Sequence, residues 1–307
     1  MCRAIIKVMK GWLIVNRFLY TQKFSELYDW LVAAALKAGS SLTLLTNDRF
    51  LVRTDTGEVI CGDAAPERPD YVIFWDKDIR LARALEADGL RLYNRADAIE
   101  ACDDKSLTAS YLAGKVRMPK TITLPFTYEH LGYNNLDFLG CLESSLGYPF
   151  IIKECFGSFG AQVYLAKSRA EVISILDNTH GHPCIAQEYI GSGTGRDIRI
   201  NVVGDKCVAS MLRYNDNDFR ANITAGGHMK EYTPDEAQCD MAIKVCRELK
   251  LDYAGVDILF GPDDEPVLCE VNSNAHFKSI YDCTGINVAE EIIQYILDDL
   301  LRRSRNI

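Results

Sequence analysis

Residues 11–16 read G-W-L-I-V-N, an almost unbroken apolar run of the kind a strand buried on both faces requires. Over residues 23–38 the period changes. Phe24, Leu27, Tyr28, Leu31, Ala34 and Ala35 recur every three or four positions, and Gly39 closes the run, so the spacing predicts a helix. Residues 42–45 and 71–75 (Y-V-I-F-W) predict two more strands, and residues 79–87 a second helix with a glycine just beyond it. Strand alternating with helix predicts a parallel sheet, so residues 1–97 read as one small α/β domain. No G-x-G-x-x-G follows its first strand, which argues against a dinucleotide role there.

Beyond that point the pattern shortens. A short helix is expected from Asp103, an extended stretch over 120–124, and a helix ending at Gly147 after a polar interval at 133–135. Strands are expected at 150–153 and 162–166, separated by Cys155-Phe156-Gly157-Ser158-Phe159-Gly160-Ala161, then a helix at 168–178 and a strand at 184–190. The last part reads as strands 197–203 and 207–213 around Gly204-Asp205-Lys206, a helix at 234–250, a hairpin at 254–272 and a terminal helix at 288–302. No internal repeat is visible. The expected division is 1–97, 98–186 and 187–307, and 307 residues suit two or three domains.

Charge narrows the partners. With 34 basic against 43 acidic residues the net charge is -9, a field that repels nucleic acid and anionic membranes, so neither is expected as a partner. The 11 cysteines are scattered and odd in number, form no C-x-x-C and have no zinc spacing with histidine. Reduced core thiols and a cytoplasmic location are the expectation. The first ten residues alternate charge with apolar side chains, unlike a signal peptide, and no run approaches ~20 apolar residues.

Three clusters could carry chemistry. In the hairpin, a turn centred between Asp263 and Asp264 sets Asp257 opposite Glu270, with Asn272 on the same face by the period of two. Two opposed carboxylates repel unless a cation lies between them, and this oxygen donor set suits Mg²⁺ or Mn²⁺; the competing reading is a solvated sheet face. Lys153 followed by Gly157-Ser158-Phe159-Gly160 offers a strand-borne charge and a backbone that a polyphosphate can approach, although a glycine-rich hairpin alone is only a turn. It lacks P-loop spacing. Arg196, Asp197, Arg199 and Arg213 precede Phe219-Arg220-Ala221-Asn222 and Gly226-Gly227, and arginines beside metal ligands would neutralise a phosphoryl group.

These clusters, in this order, resemble the ATP-grasp superfamily and most closely its RimK-like carboxylate–amine ligases, over about residues 90–302. The resemblance implies an ATP-grasp fold of mixed α/β (α+β) class, with a small parallel-sheet α/β domain at the N-terminus and ATP held between two α+β subdomains. It implies Lys105 and Lys153 on the ATP phosphates and Gly157, Ser158, Phe159 and Gly160 as the loop covering them. Gln187, Glu188, Tyr189 and Ile190 resemble the hinge strand, with Glu188 and Tyr189 at the adenine amino group and Asp197 near the ribose. Asp257, Glu270 and Asn272 match the metal ligands, for a pair of Mg²⁺ or Mn²⁺ ions. The implied reaction is amide formation through an acyl phosphate, with Arg220 at the γ-phosphate, Arg199 at the acyl phosphate or oxyanion, and Asn222 a further catalytic residue of the F-R-x-N loop. The implied substrates are a carboxylate donor and an amine, an amino acid joined to an amino acid or peptide.

Where relatives continue E-V-N with a small residue and Pro-Gly, this chain has Ser273-Asn274-Ala275-His276-Phe277-Lys278. Arg213, Asn274, His276 and Lys278 are therefore the expected substrate contacts, Lys278 pairing with a substrate carboxylate. A phosphotransferase on the same fold, or an ATP-binding module without catalysis, are the alternatives. The sequence leaves open both a homo-oligomer and the identity of the acid and amine.

Overall fold

The computed structural model describes residues 8–19, 21–61, 67–157, 160–223 and 226–305. Ser158 and Phe159 lie outside the described residues. The first unit is built on β1 (Lys10–Val15), whose last five residues are all buried. Helix α1 (Gln22–Lys37) follows, burying Leu27, Tyr28, Leu31, Ala34 and Ala35 against it. After β2 (Ser41–Thr46) comes a small antiparallel pair, β3 (Phe50–Val52) with β4 (Val59–Cys61), then β5 (Tyr71–Trp75). Helix α2 (Ile79–Ala87) starts at Asp78, whose carboxylate accepts from the Leu81 N–H at 3.1 Å, and leads to β6 (Leu92–Tyr93). The sheet order is β2-β1-β5-β6, with every neighbouring pair parallel.

Helices α3 (Ala96–Asp103) and α4 (Lys105–Leu112) are separated by Asp104, which caps the second by accepting from the Ser106 N–H at 2.8 Å. The helix expected from Asp103 is α4; α3, which ends there, was not expected. The second sheet combines β7 (Thr121–Thr123), β8 (Phe150–Glu154), β9 (Val163–Ala166) and β10 (Cys184–Glu188) in the order β7-β10-β8-β9, all antiparallel. Helices α5 (Phe138–Leu146) and α6 (Arg169–Asn178) cover one of its faces through Leu139, Leu142, Val172 and Leu176.

The third sheet has the order β13-β12-β11-β14-β15, from β11 (Arg196–Val203), β12 (Lys206–Tyr214), β13 (His228–Glu231), β14 (Tyr253–Phe260) and β15 (Pro266–Asn272). Helix α7 (Glu236–Glu248) opens with a capping box between Asp235 and Gln238 and packs under this sheet, as do α3 and α4. Two last helices, α8 (Lys278–Thr284) and α9 (Val288–Ser304), return to the first unit.

The first and third units share one core. Leu13, Val15 and Ile73 pack with Tyr253, Phe277, Ile292 and Ile293 in a single buried cluster. Asn94, fully buried, ties the units further. Its amide nitrogen donates to the Tyr253 and Ser273 carbonyls at 2.9 and 3.0 Å, and its oxygen accepts from the Asp252 and Tyr253 N–H groups at 2.6 and 3.2 Å. Each such bond contributes about 1 kcal/mol net, and losing the side chain would also strand buried backbone groups. The ends of β14 and β15, which carry the candidate metal ligands, are thereby fixed relative to the first sheet. Among the described residues no helix is long and apolar enough to cross a membrane.

Candidate active site

A cleft lies between the second and third sheets. Its walls include Ile151 and Lys153 of β8, Gln187 and Glu188 of β10, Tyr189, Ile190, and Asp197, Asp257 and Glu270 of the third sheet. Lys153 is 9% exposed, and among the described residues no carboxylate lies within ion-pair distance of it. Its ammonium donates to the Cys269 thiol at 4.0 Å, which burial pushes up to about 11 against the opposing effect of Lys153, so the thiol stays neutral at pH 7. A buried ammonium beside a neutral thiol is a ready partner for an anion.

Lys105 opens α4, and its ammonium donates to the Gly157 and Cys155 carbonyls at 3.4 and 3.5 Å and sits 3.9 Å from Glu270. Gly157 and Gly160 both have positive φ, at 152° and 73°. A Cβ on Gly160 would come within 2.7 Å of the Asn222 amide oxygen, and Arg220 donates to the Gly160 carbonyl at 2.8 Å. The glycine loop therefore rests on the segment carrying Arg220 and Asn222. Arg220 is also held by Asp218 at 2.8 Å.

On the β10 side, the Gln187 amide donates to Thr121 at 2.8 Å, the Glu188 carboxylate accepts from the Lys120 N–H at 3.2 Å, and the Tyr189 hydroxyl meets Thr194 at 2.6 Å. These side chains are already engaged, so what the segment offers a base is its backbone and the apolar flank of Ile190. The strand itself ends at Glu188, two residues earlier than expected.

The hairpin register sets Asp257 opposite Glu270 and Gly255 opposite Asn272, with a bulge immediately beyond that shifts Ile258 opposite Leu268. The cation between the carboxylates is not left to a metal alone. Arg199 grips Asp257 through both Nε and Nη2, the latter at 2.8 Å, and Arg213 reaches it at 3.0 Å. Burial alone would raise the Asp257 carboxyl; the two guanidiniums more than offset that and hold it below the usual carboxylate range. Arg213 also binds both oxygens of Asp197, at 2.6 and 2.7 Å. Asp197, expected near the ribose, and Arg213, expected at the substrate, thus pair with each other in a buried quartet of two arginines and two aspartates, and both line the cleft.

Glu270 and Asn272 complete an oxygen donor set with Asp257. Among the described residues no group of three His, Cys, Asp or Glu side chains is gathered to hold a metal, so the set depends on the Asn272 carboxamide. The Asn272 amide nitrogen is buried without a hydrogen-bond partner among the described residues. A phosphate oxygen would satisfy it, and hard oxygen donors beside a phosphate suit Mg²⁺ or Mn²⁺. The residues fit the group.

A second cavity, of about 370 Å³, opens between the first and third units and shares Lys105, Arg213, Asn222 and Glu270 with the cleft. Asn274 and His276 line it, the His276 ring edge-on to Phe24 at 5.9 Å. Lys278 does not. It lies on α8 with an exposed side chain, bonded to Asp282 one turn on at 2.8 and 3.0 Å, so the structure does not bring this expected substrate contact to the cavity wall. The helical spacing of Lys278 and Asp282, four residues apart, was the signal for that partner. Lys278→Ala should therefore leave the KM of every substrate within about twofold, as steady-state kinetics would check; an isolated rise for one co-substrate would restore its role.

The cavity also holds residues that pattern alone passed over: Asn16, Asp76, Lys77 and Asp103. Asn16 and Asp76 come immediately after β1 and β5, and ligands in open α/β sheets bind outside the carboxyl ends of strands. Burial pushes the Asp76 carboxyl up, against the opposing effect of the Lys77 N–H and the Asn16 amide.

The profile of the RimK-like ATP-grasp domain matches residues 103–296. Beta-citrylglutamate synthase B of Danio rerio is 33% identical over 230 residues, which are 74% of this chain and 56% of that protein, so this chain spans little more than half of it. The ribosomal protein bS6–L-glutamate ligase of Escherichia fergusonii is 33% identical over 217 residues, 70% of either chain. The crystal structure of D-alanine–D-alanine ligase from Bacillus anthracis complexed with ATP superposes with a TM-score of 0.70 at 17% identity, over 97% of this chain and 99% of that one; the likeness is one of fold.

Proposed function

This chain belongs to the RimK-like ATP-grasp family and is an ATP-dependent carboxylate–amine ligase, and we propose how its residues divide that work. ATP lies in the cleft, its base against Ile190 and the backbone of 188–190, its phosphates against Lys105, Lys153 and the glycine loop. Arg220 and Asn222 hold the γ-phosphate; Arg220 would exchange its bond to the Gly160 carbonyl for a charged one. The carboxylate substrate attacks the γ-phosphorus, the bond to the β-phosphate oxygen breaks, and ADP leaves. The amine then attacks the acyl carbon and phosphate departs with one former carboxylate oxygen. Arg199, on the larger cavity's wall, is placed to stabilise the oxyanion of that second step.

A pair of Mg²⁺ or Mn²⁺ ions bound by Asp257, Glu270 and Asn272 would screen the phosphate charge when present. Asp257 can bind a metal only as Arg199 and Arg213 loosen their hold on it, Arg213 keeping Asp197. We take the amine to be L-glutamate, since relatives with different acids carry glutamate in their names, and the acid to be a small polycarboxylate or the terminus of a peptide.

The observation that carries the reading is the meeting of two cavities at Lys105, Asn222 and Glu270, one lined for an anion and one roomy enough for two small organic substrates. ADP and phosphate should appear only when ATP, an acid from a panel of polycarboxylates and free-carboxylate peptides, and L-glutamate are all supplied, with a product one glutamyl residue heavier than the acid. ADP release without any amine, or a phosphorylated product, would contradict it. Lys153→Ala should weaken ATP by about tenfold to a hundredfold by calorimetry, ADP next and AMP least, since a charge-assisted contact is worth roughly 1.5–3 kcal/mol. An unchanged ATP affinity would reduce the glycine segment to a turn.

A further inference from the structure

Asp76 is a carboxylate 8% exposed on the wall of the larger cavity, and among the described residues no cation lies within ion-pair distance of it, Lys77 acting on it only from farther away. Its oxygens accept from the Asn16 amide at 3.1 and 3.3 Å and from the Lys77 N–H at 2.7 Å. The cations around it are committed elsewhere: Lys77 to Asp103, Lys105 toward Glu270, Arg199 and Arg213 to the buried quartet. Beside it, the Asn274 amide nitrogen donates to the Asp76 carbonyl at 3.1 Å, while the Asn274 amide oxygen is buried with no partner among the described residues. Turning that amide over would set two oxygens against each other, so the orphan is an acceptor. Trp75, Tyr28 and Phe24 line the same cavity and present aromatic surface. This corner thus holds a carboxylate, an unpaired amide oxygen and aromatic rings, and lacks the donor they call for. An ammonium group, with three N–H donors and a positive charge, is the complement.

Asn274 is two residues past Asn272, in the turn that follows β15, and so stands at most about 7 Å along the chain from the phosphate-facing end of the site. Resting on the ligase reading above, we propose that Asp76 and Asn274 form the subsite for the ammonium group of the amine co-substrate, one proton passing to Asp76 before the nitrogen attacks and the second leaving with phosphate, and so select an amino acid or a peptide N-terminus over uncharged nucleophiles.

Hydroxylamine separates this subsite from the reaction itself. It is uncharged near pH 8 and attacks an acyl phosphate directly: the N–C bond forms, the C–O bond to phosphorus breaks, phosphate leaves and nitrogen loses a proton. The test compares ADP release by the full chain, with ATP, Mg²⁺ and the acid panel, using either hydroxylamine or each common L-amino acid, L-glutamate first. In Asp76→Asn, the isostere that still accepts from Asn16, the KM for the amino acid should rise about tenfold to a hundredfold with that for ATP within twofold. The ratio of amino-acid-dependent to hydroxylamine-dependent turnover below saturation should fall by the same factor, and Asn274→Ala should shift it in the same direction. An unchanged amino-acid KM, equal loss with both nucleophiles, or wild-type protein that makes hydroxamate yet accepts no amino acid would overturn the proposal while leaving the ligase reading standing. Wild-type protein that makes no hydroxamate with any acid would overturn both.

Discussion

Replacing Glu270 by glutamine should lower turnover by roughly 10²–10³-fold or more and leave the melting temperature nearly where it was. Glu270 is on β15 at the junction of the two cavities, its side chain one-third exposed, and its one ionic neighbour is Lys105 at 3.9 Å. Glutamine keeps the volume and one acceptor oxygen but not the charge. Lys105 retains the Gly157 and Cys155 carbonyls, so no buried cation is abandoned. What is lost is half of the anionic charge available to a metal at the transferring phosphate. Turnover within twofold of wild type would remove Glu270 from the metal site.

The corresponding change at Asp257 should have a second consequence. Asp257→Asn should abolish measurable turnover and also destabilise the fold by about 3 kcal/mol, seen as a melting temperature several degrees lower. Asp257 is 2% exposed and faces two guanidiniums, Arg213 itself being 5% exposed. Removing one partner of a buried ion pair costs ~3–5 kcal/mol because the other charge is left in low dielectric. The low end applies here, since Arg213 keeps both oxygens of Asp197. Two ligands of one site should thus separate in a melting experiment while failing alike in an activity assay. Equal melting temperatures for the two variants would mean that the arginines are compensated by solvent or by ligands.

That difference could not be read from the strand pattern, although much else could. A turn centred between Asp263 and Asp264 placed Asp257 opposite Glu270, and the register agrees despite the bulge beside it. The strand at 71–75 and the helix at 79–87 have the bounds their patterns predict, because the strand is buried throughout and the helix buries one regular face. The elements that escaped are short or locally ambiguous. β6 has two residues and β3 three, too few for a period to appear. α3 buries Ala96, Ala98 and Ala101, small side chains that carry little hydrophobic signal, and Asp104 divides it from α4 by capping rather than by a glycine or proline.

Site residues divide along the same line. Lys153, Glu270 and Asn222 reach the cleft because each is held by a regular strand or by contact with the glycine loop. Arg213 and Asp197 were legible as charges near the site, but alternation along a strand specifies a face and not a partner, and their mutual pairing needed the β11–β12 register. Asp76 and Asn16 belong to a unit with no phosphate motif. Only their place at the ends of parallel strands, and the shared core that holds that unit against β14 and β15, brings them to the cavity.

The most direct measurement of the central claim follows oxygen. With the carboxylate substrate labelled with ¹⁸O at both oxygens, turnover with ATP and the amine should transfer one labelled oxygen into the inorganic phosphate for each amide formed, and the other should remain in the amide carbonyl, as mass spectrometry of both products would read. Phosphate released without label, or label retained wholly in the acid while ADP accumulates, would contradict an acyl-phosphate ligase.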